Sequence, residues 1–287
     1  LRSTIHRPFS YQVPLSRFPV RYEVLNRQGQ VVHQLADIPL ADDIPLAFDS
    51  VRPGKRSIGW RTDRPATLYW VEALDGGDAS VPADHRDGVY TLAAPFDTSP
   101  TEIWQTTLRF RGLTWSSDNF AIASEAWYDS RQLQRWAIFP EAADTDAVLL
   151  DSRDFQDAYA NPGSPVTVPG PYGRSVLMLS DDGKSIYLNG GGASPDGVFP
   201  FLDRLNLTTL ATERLWQAEG DIFSRVTRVL DTKAQNIIVR KESQTTPGNY
   251  HQLDLSTSEA TPLTEFPDPL ARYAATQKEI VRYPRTD

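Results

Sequence analysis

The chain contains no cysteine. Disulfides, thiolate metal sites and a cysteine nucleophile are therefore excluded together. It has one methionine and four histidines, and only five of its 29 basic residues are lysine. The histidines, His6, His33, His85 and His251, show neither the H-E-x-x-H nor the H-x-x-E-H spacing of a zinc site, so no metal is expected. No run approaches the ~18 consecutive apolar residues of a membrane span, and the membrane is not expected as a partner. A net charge of −8 without a basic stripe argues against nucleic acid. The start, Leu1 to Ile5, has neither the charged nor the apolar region of a signal peptide, so the chain was either never exported or lost a leader. A periplasmic or secreted location is expected ahead of the cytoplasm.

What is present is strand chemistry. Proline (22 residues) and glycine (17) are spread over all 287 positions and interrupt almost every run before a three-turn helix could form. Aromatic and β-branched residues cluster between them in runs of strand length. One unit recurs: strand, turn rich in Ser, Asp or Gly, strand. It reads Ile58–Asp63 leading to Thr67–Val71, then Leu113–Asn119 leading to Phe120–Ala123. It returns as Leu177–Lys184 leading to Ser185–Leu188 and, degenerately, as Val229–Lys233 leading to Asn236–Val239. The turn aspartates Asp63, Asp118, Asp182 and Asp231 lie 55, 64 and 49 residues apart. Second hairpins follow, at 21–35, 134–151, 202–216 and 250–264, with Ser, Thr, Asn and Gly in most of their turns.

Two successive antiparallel hairpins make a four-stranded sheet, and a tandem array of such sheets is a β-propeller. The expected fold is all-β: a partial β-propeller of about four to five four-stranded antiparallel blades, ahead of a β-sandwich. It begins in mid-blade, with Pro8–Leu15 expected to supply one further strand of the first blade. Trp60, Trp115, Leu179 and Leu230 should occupy equivalent places on inner strands. Open terminal blades should expose apolar rows including Val20, Tyr22, Val24, Ile237 and Val239, inviting self-association through these faces.

Several stretches resemble the prolyl oligopeptidase family of serine peptidases, nearest its glutamyl endopeptidase group. They are Arg56–Asp63 (RSIGWRTD), Pro65–Asp78 (PATLYWVEALDGGD), Gly191–Gly197 with Pro200–Arg204, and Arg240-Lys241-Glu242-Ser243. The resemblance runs across nearly the whole chain. It implies residues 1–264 as propeller blades, incomplete at the N-terminus. It also implies residues 265–287 as a linker and crossover strand toward an α/β-hydrolase domain that this chain lacks. The implied function is the non-catalytic part of a serine peptidase, gating access and docking a peptide or unfolded protein for hydrolysis. The alternative is a free-standing propeller that binds a protein or peptide without catalysis.

The chemistry within the chain fits a non-catalytic part. The G-x-S-x-G nucleophile elbow is absent. Gly54-Lys55-Arg56-Ser57-Ile58-Gly59 is one residue too long and opens a strand. The loops Asp75–Asp78 and Asn189–Gly197 offer oxygens for calcium but lack the alternating ligand pattern, and both read as turns. No helix follows the glycine run to hold a phosphate, and no cofactor is expected. The candidate substrate contacts are Arg240, Lys241 and Glu242. As a cationic pair, Arg240 and Lys241 could attract an acidic side chain; the plainer reading is a solvated strand end with a local ion pair.

Overall fold

The computed structural model describes every residue except 143, 244, 274, 277, 278, 280 and 285–287. Among the described residues it contains strands, loops and two short 3-10 turns, at Leu15–Arg17 and Ala271–Tyr273. The chain divides into two compact units, one of Leu1–Ala160 with Thr167–Met178, the other of Asn161–Val166 with Leu179–Asp287.

The first unit opens with a three-stranded antiparallel sheet of β1 (Arg2–Ile5), β2 (Val20–Leu25) and β3 (Val31–Ile38). The extra strand of the first blade is thus β1, whereas residues 8–14 form no strand. Two meanders of four strands follow. The first is β4 (Arg56–Trp60), β5 (Thr67–Ala73), β6 (Asp87–Ala93) and β7 (Thr101–Thr106). The next is β8 (Arg109–Trp115), β9 (Ala121–Trp127), β10 (Gln132–Ile138) and β11 (Val148–Asp154). Apolar side chains from successive sheets meet in the core. Val24 and Leu35 pack with Leu68, Trp70 and Leu92 of the second sheet. Tyr69 and Trp104 of that sheet pack with Trp115, Ala121 and Ile138 of the third.

Among its sheets, the second unit holds two more of four strands. One combines β12 (Ser164–Pro165) with β15 (Ser185–Gly190), β18 (Phe201–Asn206) and β19 (Thr212–Gln217). The other is the meander β20 (Phe223–Val229), β21 (Asn236–Glu242), β22 (Asn249–Asp254) and β23 (Glu259–Pro262). Two small hairpins lie outside these sheets: β13 (Thr167–Pro169) with β14 (Ser175–Leu177), which belongs to the first unit, and β16 (Ala193–Ser194) with β17 (Gly197–Val198) in the second. The architecture is all-β, built from the four-stranded antiparallel blades of a β-propeller.

Two details of the repeat differ from the sequence reading. The strand expected at Leu177–Leu179 is divided. Its place against β15 is taken by Ser164–Pro165 and, through one bridge to Ile186, by Leu179, while the hairpin of β13 and β14 is inserted between them. Pro165 and Pro169 lack the N–H that a continuous ladder needs. The fourth copy is shifted by one residue. Trp60 faces Leu68, Trp115 faces Ala121 and Leu179 faces Ile186, but it is Val229 that faces Ile237. The next backbone N–H closes each turn in turn: Arg61 to Thr67, Ser116 to Phe120, Ser180 to Ser185 and Leu230 to Asn236. Leu230 therefore aligns with the turn residues and points the other way, since a slip of one reverses the face. Leu230 is 43% exposed and Val229 5%.

The residues expected to form exposed apolar rows are not exposed. Val20, Val24, Ile237 and Val239 are all buried, and Tyr22 is partly buried. Self-association through those residues loses its basis. Val24 is covered by β5 and β6 side chains, which the spacing of the repeat did not reveal.

Candidate functional site

The predicted contacts Arg240, Lys241 and Glu242 all lie at the end of β21, but the strand divides them. Successive side chains point to opposite faces of a sheet. Arg240 and Glu242 share one face, where Arg240 Nη1 lies 2.7 Å from Glu242 Oε2. They line a groove of about 940 Å³ together with Ser243, Pro247, Leu270 and Tyr273. Lys241 points away, into a second groove of about 560 Å³ with Trp216, Ile222 and Leu253. No ion pair engages Lys241 among the described residues. Arg240 and Lys241 therefore do not present their charges in the same groove.

The first groove is built from a hairpin end and the segment after it. Gly248 makes room for the Arg240 guanidinium, because a Cβ at Gly248 would stand 2.0 Å from Nη2. Asn249 fastens the segment that follows β23. Its Oδ1 accepts from the Phe266 N–H at 2.7 Å and from the Thr264 hydroxyl at 2.8 Å, while Nδ2 donates to the Phe266 carbonyl at 3.3 Å. Leu270 and Tyr273, beyond that fastening, also line the groove. Of the crossover strand expected at 278–287, Lys278, Ile280, Arg285, Thr286 and Asp287 lie outside the described residues, and 281–284 form no strand.

No catalytic constellation forms within the described residues. Ser57, in the loose match to an elbow, sits in a β-bulge of β4 with φ of 51° and is exposed. No serine is hydrogen-bonded to a histidine among the described residues. His6 bridges to Asp37 at 2.7 Å, and His33 stacks on Phe96.

The sequence reading missed a buried ionic cluster in the first unit. Arg109 is 1% exposed and spans the carboxylates of Asp75 (2.7 Å) and Asp87 (2.8 Å) and the carbonyl of Asp49 (2.8 Å). Arg86 adds a bond to Asp75 at 3.0 Å, and Arg56 pairs with Asp87. Burial disfavours ionisation of Asp75, but the hydrogen bonds from Arg109 and Arg86 outweigh it and hold its pKa below the ordinary carboxylate value. The Asp75–Asp78 loop thus spends its first carboxylate on arginines. Gly77 is needed there because its φ is 82° and a Cβ would stand 2.0 Å from the Val51 carbonyl. Arg61 forms a smaller buried centre, paired with Asp63 at 2.8 Å and lying 4.3 Å over the Trp115 ring. Arginines spaced far apart in sequence give no local signal for such a cluster. Only the dominance of arginine over lysine hinted at it, since its planar fork suits bidentate pairing.

No family model matches the chain. It is 39% identical over 299 residues to a rice protein named "Probable glutamyl endopeptidase, chloroplastic", covering 99% of this chain and 32% of the relative. An Arabidopsis thaliana protein of the same name is 37% identical over 302 residues, covering 100% of this chain and 31% of the relative. The chain therefore spans about a third of the length of these curated relatives. Among solved structures, an oligogalacturonate lyase in complex with manganese superposes with a TM-score of 0.50 at 13% identity, covering 92% of this chain and 67% of that one, a likeness of fold alone. No helix among the described residues is long and apolar enough to cross a membrane. The resemblance read from RSIGWRTD and PATLYWVEALDGGD is borne out: a chain with the fold of β-propeller blades is similar over its whole length to two proteins named as glutamyl endopeptidases.

Proposed function

We propose that this chain is the non-catalytic part of a serine peptidase, which gates access to an α/β-hydrolase domain of the same polypeptide and docks its peptide substrates. The observation that carries the reading is the match of 37% and 39% identity along essentially the whole chain to about a third of two proteins named as endopeptidases. The absence of a G-x-S-x-G elbow agrees with it. Residues 1–264 serve as blades and 265–287 as the connection onward. Arg240 and Glu242 contact substrate from the larger groove, where their ion pair offers an acceptor and a donor side by side. Lys241 meets substrate through the separate groove beside Trp216.

The test uses the gene product that contains residues 1–287 together with its hydrolase domain. A short unstructured peptide should be cleaved, while the same sequence inside a stable folded protein should resist. Arg240→Ala and Glu242→Ala should raise KM several-fold with kcat little changed, the pattern of lost uniform binding. Equal cleavage of folded and unfolded targets would contradict gating, and unchanged KM in both variants would remove the assigned contacts.

A further inference from the structure

The segment 39–55, between β3 and β4, presents an apolar tip from a base made of buried polar anchors. Leu46 is 67% exposed and Phe48 66%. An unanchored loop would fold such side chains back against the protein, since exposing them to water is unfavourable. Here the base holds them out. Arg17, 8% exposed, donates to the carbonyls of Ile44 and Pro45 on one side of the tip. On the other side Asp49 holds a left-handed φ of 61° and accepts from the Tyr128 N–H at 2.6 Å, from Arg111, and through its carbonyl from Arg109. Arg52 ties the same segment to the carbonyls of Ser16, Phe18 and Pro39.

The tip is not a lone exposed residue. The Phe48 ring stacks on Tyr128 with centroids 3.4 Å apart and an interplanar angle of 9°, and Tyr128 in turn lies 6.3 Å from Phe155. Arg131 stands 3.8 Å from the Tyr128 centroid and must cover its other face. Phe48 thus extends an aromatic ledge, with the exposed Leu46 two residues before it and the exposed carboxylates of Asp42 and Asp43 preceding the tip in sequence. An ordered apolar projection with an acidic flank is the form of one half of a docking contact.

We propose that the tip Pro45–Phe48 seats in an apolar pocket rimmed by basic side chains on the remainder of the longer polypeptide. The inference rests on the function proposed above, in which this chain is about a third of a larger protein, as it is about a third of its relatives. The acidic flank selects a basic rim, and the preformed base means that little conformational entropy is lost on seating.

Because the chain has no cysteine, Leu46→Cys places a single thiol in it. Its rate of reaction with a maleimide, read at the labelled peptide by mass spectrometry, is compared between residues 1–287 alone and the longer protein. The expected result is at least tenfold slower labelling at position 46 in the longer protein, with a control Thr208→Cys unchanged. Equal rates at position 46 would overturn the proposal. Protection within residues 1–287 that grows with concentration would also overturn it, by assigning the tip to a second copy of the chain. A longer protein without peptidase activity would refute the proposed function while leaving the labelling comparison readable.

Discussion

Replacing Arg109 by methionine keeps the bulk of the side chain and removes the charge that spans Asp75 and Asp87. Both carboxylates are 0% exposed at the side chain, so neither can turn to water. Breaking a buried pair by removing one partner costs about 3–5 kcal/mol, because the remaining charge is left uncompensated. Arg86 still reaches Asp75 and Arg56 still reaches Asp87, which places the expected cost near the lower end, about 3 kcal/mol. For a unit of this size each kcal/mol shifts Tm by roughly 2–4 °C, so the transition should fall by about 6–12 °C. The assay is calorimetry or thermal circular dichroism at pH 7, with Arg21→Met as the control. Arg21 is 44% exposed in its pair with Asp37, and its loss should leave Tm within error. The effect also has a pH signature. Asp75 has a depressed pKa in the folded chain, so the stability its pairing contributes is present above the unfolded value near 3.8 and disappears as pH falls through the lower folded value. The gap between wild type and Arg109→Met should therefore narrow below about pH 4. A Tm loss under about 2 °C at pH 7 would refute the reasoning, as would a gap that widens in acid.

The one-residue shift in the fourth repeat predicts that Val229→Ala destabilises by about 1–3 kcal/mol while Leu230→Ala stays within about 0.5, measured by urea unfolding. The opposite order would restore the register read from sequence. Gly248→Ala should displace the Arg240 guanidinium rather than the backbone, because the atoms it meets are the far end of a flexible side chain. Cleavage of peptides by the longer protein should then show the raised KM of Arg240→Ala with melting unchanged, and an unchanged KM would count against the groove.

Much of the fold was legible because it rests on local chemistry. The turns at Asp63, Asp118 and Asp231 each follow the first strand of a sheet and the turn at Asp182 precedes β15, and the strand patterns around them were sufficient to identify the blades. The first strand of the third repeat was misread because an inserted hairpin separates Pro165 from Leu179, and the apolar residues 176–178 look like that strand. The site was less legible. The string PATLYWVEALDGGD carries the family resemblance, yet its residues build core and scaffold: Leu68, Trp70 and Val71 are fully buried and Asp75 is held by two arginines. At Arg240-Lys241-Glu242 the sequence showed neighbouring charges but not their faces, and strand alternation divided them between two grooves. The exposed faces were misjudged because packing between successive sheets, which covers Val24, depends on contacts far apart in sequence.

The claim that this chain is the non-catalytic part of a serine peptidase is tested most directly by labelling with a fluorophosphonate probe and mapping the modified residue. The account predicts no stoichiometric labelling of residues 1–287 alone, and one labelled serine in the longer protein that lies outside them. A labelled serine within residues 1–287 would contradict it.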